Sequence, residues 1–468
     1  MNILIKNGYV ITVDPKRRMI KDGAIVIEGN KIVAIGKTDD IQKKYKAEEV
    51  IDAKNMAVLP GLINTHTHLF QVLLRSLGDD MKLFDWWPKM VGPASVHLKK
   101  EDVYWSALTG SLELLKSGCT TTMDNYYPHP VWGLTDECLK AFIKIGIRGI
   151  EAVGGTDKSE PYFPPPEVLV KNTDDIIREI VRLIKKWNGK ANDRVHVWFG
   201  CGAPFANTDE LVEKEHDNAE KYGVGMCDHL HETQDEVNQW KKENGGLTPI
   251  QYYYKKGIRF LGSNLVGIHC VWMDDEDLKI MAKTDTKVSH NPVSNMYLAS
   301  GVCPVPKMLD MGITVSLGVD GPASNNDQDM FELMKSTALL QKVATCNPTA
   351  ITAEKVLELA TIDGARALRM EKEIGSIEPG KKADIILVDL KAANIAPVNR
   401  VASQLVYCAK SSNVHTVIVD GKVVIRKGSL RTMKEEEILK NVQETTDKLV
   451  ERAGMTKLRE RPWITKVQ

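Results

Sequence analysis

His66 and His68 stand one residue apart, directly after the apolar run 57–64. Residues i and i+2 at the end of a strand project to the same side, so the two imidazoles can converge on one point. Imidazole nitrogen is a good ligand for zinc or ferrous iron. A second group, His229 and His231, is followed at once by Glu232. His269, His290 and Asp320 each close a further apolar run. Taken singly, each histidine reads as a hydrogen-bonded core residue, and Asp320 as a turn residue before Gly321. Jointly, metal-competent side chains at the ends of successive strands point to a metal-centred hydrolytic site.

The elements that must position these residues alternate along the middle of the chain. Strands are expected at 57–64, 120–125, 148–155, 195–200, 223–231, 264–270, 287–291 and 314–320, with amphipathic helical patterns such as 102–118 between them. Eight strands, each followed by a helix, make a (β/α)₈ barrel of the TIM type, whose chemistry sits at the strands' C-terminal ends. A doubly wound open sheet is the competing architecture. Both chain ends are β-rich instead. A Gly-Asn turn at 29–30 and an Asp-Gly turn at 420–421 mark hairpins. The expected organisation is therefore α/β, with a small β-sandwich domain built from both ends (1–56 and 371–431), the barrel at 57–370, and a C-terminal helix and tail at 432–468. The proline-rich stretch 162–167 reads as a loop over one end of the barrel.

Among the 468 residues, Lys+Arg and Asp+Glu both number 62, so zero net charge gives no electrostatic reason to expect nucleic acid or an anionic membrane as partner. The first residues alternate apolar and polar, unlike a signal peptide, and no apolar run approaches a membrane span. The eight cysteines are scattered without a CxxC pair, which suggests reduced thiols and a cytoplasmic location.

The segments LPGLINTHTHLFQ (59–71), SGCTTTMDN (117–125), HLHETQDEV (229–237), SHNPVSNMYLASG (289–301) and GVDGPASNNDQDMFE (318–332) resemble the amidohydrolase superfamily. The resemblance is to its branch of aminohydrolases acting on N-heterocycles, which includes S-adenosylhomocysteine/methylthioadenosine deaminases and triazine hydrolases. It spans nearly the whole chain. It implies His66, His68, His229 and Asp320 as ligands of one divalent metal ion, zinc ahead of iron. The family's His-x-x-Glu pattern selects His229 with Glu232 and leaves His231 unassigned. The fourth strand offers no lysine at its end that could bridge two metals. In this reading Asp320 takes a proton from the attacking water, His269 orients that water, and Glu232 moves protons to the ring and to the leaving amine. Gln71, Trp86, Trp87 and Ser324 are candidate substrate contacts, with one tryptophan packed against the barrel. His290 and Asn295 read as residues holding the seventh loop. A homodimer or homotetramer is implied by resemblance alone.

Two departures bear on the substrate. Gly202 stands where the adenosyl-type deaminases of the branch carry a histidine that contacts substrate, and the loop 156–166 contains no arginine for a ligand carboxylate. Both turn the expectation from adenosylhomocysteine toward a smaller heterocycle of purine, pterin, pyrimidine or triazine type. Gly321 after Asp320 matches the deaminases, whereas the triazine chlorohydrolases carry Asn there. Hydrolytic deamination is therefore expected, with displacement of chloride or an alkylamine from a triazine-like ring as the alternative. A catalytically silent metal-stabilised binding protein is a third reading, disfavoured by the presence of both Glu232 and His269.

Overall fold

A computed structural model of the chain describes residues 2–159 and 164–463. Eight parallel strands follow one another in chain order around a barrel. They are Leu62–Thr67, Cys119–Tyr126, Arg148–Val153, Val195–Gly200, Met226–Leu230, Leu265–His269, Lys287–His290 and Val315–Leu317. They are almost wholly buried, because helices cover the outside and packed side chains fill the inside. The helix Thr173–Trp187 shows how the sequence directs this packing. Ile176, Ile180, Leu183 and Ile184 recur at helical spacing and are buried, while the Asn172 side chain caps the first turn by accepting from the Asp174 amide at 2.9 Å.

The strand expected at 57–64 is divided at Gly61. Met56–Pro60 pairs antiparallel with Ile385–Asp389 in the other sheet, and the barrel begins only at Leu62–Thr67. The Gly61 amide donates to the Asp384 carbonyl and the Leu62 amide to the Gly118 carbonyl, so the chain changes sheets within one residue. A Cβ at Gly61 would lie 2.0 Å from Thr120 Oγ1, which restricts this crossing to glycine. Apolar periodicity continues through the crossing, so the pattern alone does not reveal it.

Side chains rather than a regular ladder close the seam between the first and eighth barrel strands. Asn64 Oδ1 accepts from the Val319 amide at 2.9 Å, and Thr65 Oγ1 donates to the Leu317 carbonyl at 3.0 Å. The His66 carbonyl accepts from the Asp320 amide at 3.0 Å. The seam therefore joins two of the residues singled out for chemistry.

The second sheet is mixed, has nine strands, and draws them from both chain ends. Its hairpins turn at Gly29 and at Asp420-Gly421, all with positive φ, as the primed turns require. It carries its own apolar core, including Ile5, Ile25, Val58, Ile385 and Ile418. Arg148, fully buried on the third barrel strand, reaches into this sheet and donates to both carboxylate oxygens of Asp384 at 2.9 and 3.1 Å. The C-terminal helix Glu435–Arg452 packs against helix Lys100–Lys116, with ion pairs Lys116–Glu435 and Arg452–Asp102 at its two ends. Of the proline-rich segment, residues 162–163 lie outside the described residues. Among the described residues no helix is long and apolar enough to cross a membrane.

Truncating Arg148 strands the buried carboxylate of Asp384. Arg148→Ala should lower unfolding stability by about 3–5 kcal/mol in a denaturant titration, since removing one partner leaves an uncompensated buried charge.

Candidate active site

At the C-terminal ends of the barrel strands, His66, His68, His229, His269 and Asp320 converge. His68 Nδ1 lies 2.7 Å from the Asn125 carbonyl and His229 Nδ1 lies 2.9 Å from the Gly202 carbonyl. A carbonyl can only accept, so both Nδ1 atoms carry the proton and each neutral ring keeps its lone pair on Nε2. Those two Nε2 atoms are 3.2 Å apart. Two lone pairs at that distance repel unless a cation lies between them. His66 is fully buried, and its Nε2 faces Asp320 Oδ1 at 3.3 Å. Burial drives His68 down to about 3 and also lowers His66 and His229, so all three are neutral and able to ligate. Burial on its own would keep Asp320 protonated, but the imidazoles of His66, His269 and His68 hold its carboxyl well below the ordinary range. His66, His68 and His229 offer donor atoms within 4.8 Å of one another, as do His66, His269 and Asp320, and such sets of imidazoles and a carboxylate suit a divalent cation.

The backbone here is strained. Asp320 has φ 62° and His269 φ 69°, left-handed values that ordinary residues adopt at some cost. Thr67 Oγ1 and Gln328 Nε2 hold the Asp320 carbonyl at 2.9 and 3.0 Å. Asp124 Oδ1 accepts the Leu69 amide at 2.7 Å, fixing the chain just beyond His68.

Glu232 follows the fifth strand and precedes helix Gln234–Glu243. A capping box made by Thr233 and Glu236 starts that helix and sets the position of Glu232. Its Oε2 lies 3.6 Å from His269 Nε2, which is itself 3.7 Å from Asp320 Oδ2. Burial raises the Glu232 carboxyl above its usual range, although His269 opposes the shift. The same cavity is lined by Gln71, Trp86, Trp87, Tyr127, Phe205, Leu298 and Ser324.

A model of the amidohydrolase family matches residues 57–424. The chain belongs to that family. It is 40% identical over 97% of its length to a 5'-deoxyadenosine deaminase of Methanosarcina acetivorans, covering 99% of that protein. It is 41% identical over 91% of its length to a 5-methylthioadenosine/S-adenosylhomocysteine deaminase of Thermococcus sibiricus, covering 94% of it. Among solved structures, a zinc-bound adenosine deaminase of Xanthomonas campestris superposes with a TM-score of 0.87 at 28% identity, over 96% of this chain and 98% of the other. Atrazine chlorohydrolase of Arthrobacter aurescens, complexed with zinc, gives 0.88 at 26% identity over 95% and 100%.

The other residues singled out in the sequence separate by position in this amidohydrolase. Trp86 is the packed tryptophan, 4% exposed, with Nε1 donating to the Ala323 carbonyl at 3.0 Å. Trp87 is partly exposed and interacts with the Tyr127 hydroxyl. Ser324 lines the cavity, yet its hydroxyl also donates to the Gly321 carbonyl at 3.2 Å and so shapes the turn. His231 points away and bonds the Trp272 carbonyl at 3.1 Å. Tyr127, Phe205 and Leu298 were not singled out. They sit in loops whose path the sequence does not specify, and only the doubled tyrosine after the second strand offered a hint. Asn295, read as a loop-holding residue, also has its Oδ1 2.9 Å from His269 Nδ1.

That contact makes Asn295 a positioning residue for His269. Asn295→Ala should lower kcat by about 10–100-fold with little change in KM, as loss of an orienting partner does. Asn295→Asp, which keeps the acceptor, should recover most of the loss.

Proposed function

We propose that this amidohydrolase deaminates the six-membered ring of a 6-aminopurine nucleoside, with 5'-deoxyadenosine-like compounds as the substrate class. The observation that carries the reading is the buried Glu232 carboxyl facing His269 beside the converging imidazoles and Asp320. A purely structural metal site needs neither Glu232 nor His269. The relatives at 40% and 41% identity, named for 5'-deoxyadenosine and for 5-methylthioadenosine/S-adenosylhomocysteine, support the nucleoside class.

Gly202, which turns the expectation from adenosylhomocysteine toward a smaller heterocycle, acts through its backbone. Its carbonyl holds His229, and the residue lines the cavity without filling it. Leu83, Phe205 and Leu298 give the cavity an apolar flank, suited to a nucleoside with an uncharged 5' end.

His66, His68, His229 and Asp320 would hold one divalent ion, zinc in this reading. When bound, the ion supplies a hydrolytic water at neutral pH. Asp320 accepts a proton from the attacking water while His269 keeps that water oriented. Glu232, whose neutral form burial favours, protonates ring nitrogen N1 as the C6–O bond forms. It then passes the second proton of the water to the amine as the C6–N bond breaks, and the proton held by Asp320 returns to Glu232, so both carboxyls are restored. Ammonia leaves, and the water's two protons end on N1 and on the ammonia, so the step balances.

Ammonia release from a panel of 6-aminopurine nucleosides and other amino-heterocycles tests the reading, and silence of the metal-loaded protein across that panel would overturn it. Glu232→Gln should lower kcat/KM by about 10²–10⁴-fold while metal content stays constant. Dialysis against a chelator should abolish turnover, lower the unfolding temperature and be reversed by zinc, because a cation bound only by the folded state stabilises it.

A further inference from the structure

We infer that Gln71 recognises the amine that leaves, and that Gly321 is the residue that allows it to. The inference deepens the deamination reading above and rests on it. Gln71 lies on the short 3-10 segment Leu69–Leu74 just beyond His68, with its own amide N–H donating to the His68 carbonyl at 3.0 Å. Its side chain is 1% exposed and lines the cavity with His68, Glu232, His269 and Asp320. The amide and Trp87 both engage the Tyr127 hydroxyl. The amide oxygen Oε1, by contrast, has no donor among the described residues.

A buried carbonyl oxygen without a donor is rare in folded proteins and calls for one from outside. Along the six-membered edge of a 6-aminopurine the exocyclic amine is the group that carries N–H, while N1 is an acceptor that Glu232 serves. Gln71 Oε1 and the Glu232 carboxyl thus match the donor and acceptor presented at C6 and N1.

Gly321 decides whether the amide can occupy this place. A Cβ at position 321 would lie 1.9 Å from Gln71 Oε1 and 2.5 Å from its Cδ. The backbone there has little room to yield, because the Gly321 amide donates to Asp320 Oδ1 at 2.6 Å and Asp320 is already in a left-handed conformation. The clash falls on the far end of a flexible side chain, so a larger residue displaces the Gln71 amide without unfolding the chain.

The test compares wild type, Gln71→Leu, Gly321→Ala and the double variant on a 6-aminopurine nucleoside and on its 6-chloro counterpart, which offers no N–H at C6. Each single variant should lose at least about 10-fold in kcat/KM on the amine and stay within about threefold of wild type on the chloride. The double variant should be no worse than the poorer single variant, because both remove one contact. Gln71→Glu, which keeps an acceptor, should regain part of the amine preference. Equal losses on both substrates, unchanged amine turnover or additive losses would each overturn the assignment. A second measurement separates this from failure of the deamination reading. In equilibrium binding to the metal-free protein, wild type should prefer the 6-amino nucleoside over the 6-unsubstituted one and Gln71→Leu should not. If wild type deaminates nothing, retention of that preference in Gln71→Leu, or its absence in wild type, still rejects the role of Gln71.

Discussion

The site depends on two hydrogen bonds that look incidental: those from His68 Nδ1 to the Asn125 carbonyl and from His229 Nδ1 to the Gly202 carbonyl. Because a carbonyl cannot donate, each bond fixes one tautomer and turns the Nε2 lone pair inward. With the two Nε2 atoms 3.2 Å apart, the arrangement is repulsive for the protein alone and favourable around a cation. The carbonyls that impose it belong to the end of the second strand and the loop after the fourth, so correct closure of the barrel is a condition for the electrostatics. Burial reinforces the effect, since charged imidazoles in this setting would be disfavoured.

The same ring of strand ends is where the backbone carries strain. His269 and Asp320 take left-handed conformations, and the surrounding bonds over-determine them. Thr67 and Gln328 hold the Asp320 carbonyl, while the seam between the first and eighth strands ties the Asp320 amide to His66. The seam is built from Asn64, Thr65, Ser289 and Ser316 side chains rather than a regular ladder. Irregular closure and the positioning of the carboxylate are one structural device.

Much of this was legible in the sequence, for a physical reason. Strands buried on both faces read as continuous apolar runs, and polar residues that break such a run at its C-terminal end stand out, as His66, His68, His229, His269 and Asp320 do. What the sequence concealed depends on contacts far apart in the chain. The sheet change at Gly61 lies inside an unbroken apolar run and is set by Thr120 and Asp384. The partnership of Asn295 with His269, and the arrival of Tyr127 beside Gln71, require the loops to be in place. At Gly202 a missing side chain reads as a lost contact. In the fold its backbone carbonyl does the work, and the absence of a side chain leaves the cavity open.

The carboxyls on the loop after the fifth strand show how the fold separates structural from chemical duty. Glu236 completes the capping box with Thr233, and burial, reinforced by the charge of Glu232, pushes its carboxyl up to about 8. At neutral pH it is therefore mostly neutral and still accepts the Thr233 amide. Two ionised carboxylates lining one buried cavity would repel, and a neutral Glu236 avoids this. That arrangement frees Glu232 to titrate against His269 and the substrate, because its neighbour adds little negative charge. A glutamine at position 236 would serve the cap equally well. It would also make the neutrality permanent, so the proton affinity of Glu232 would no longer respond to the titration of Glu236 as pH rises toward 8.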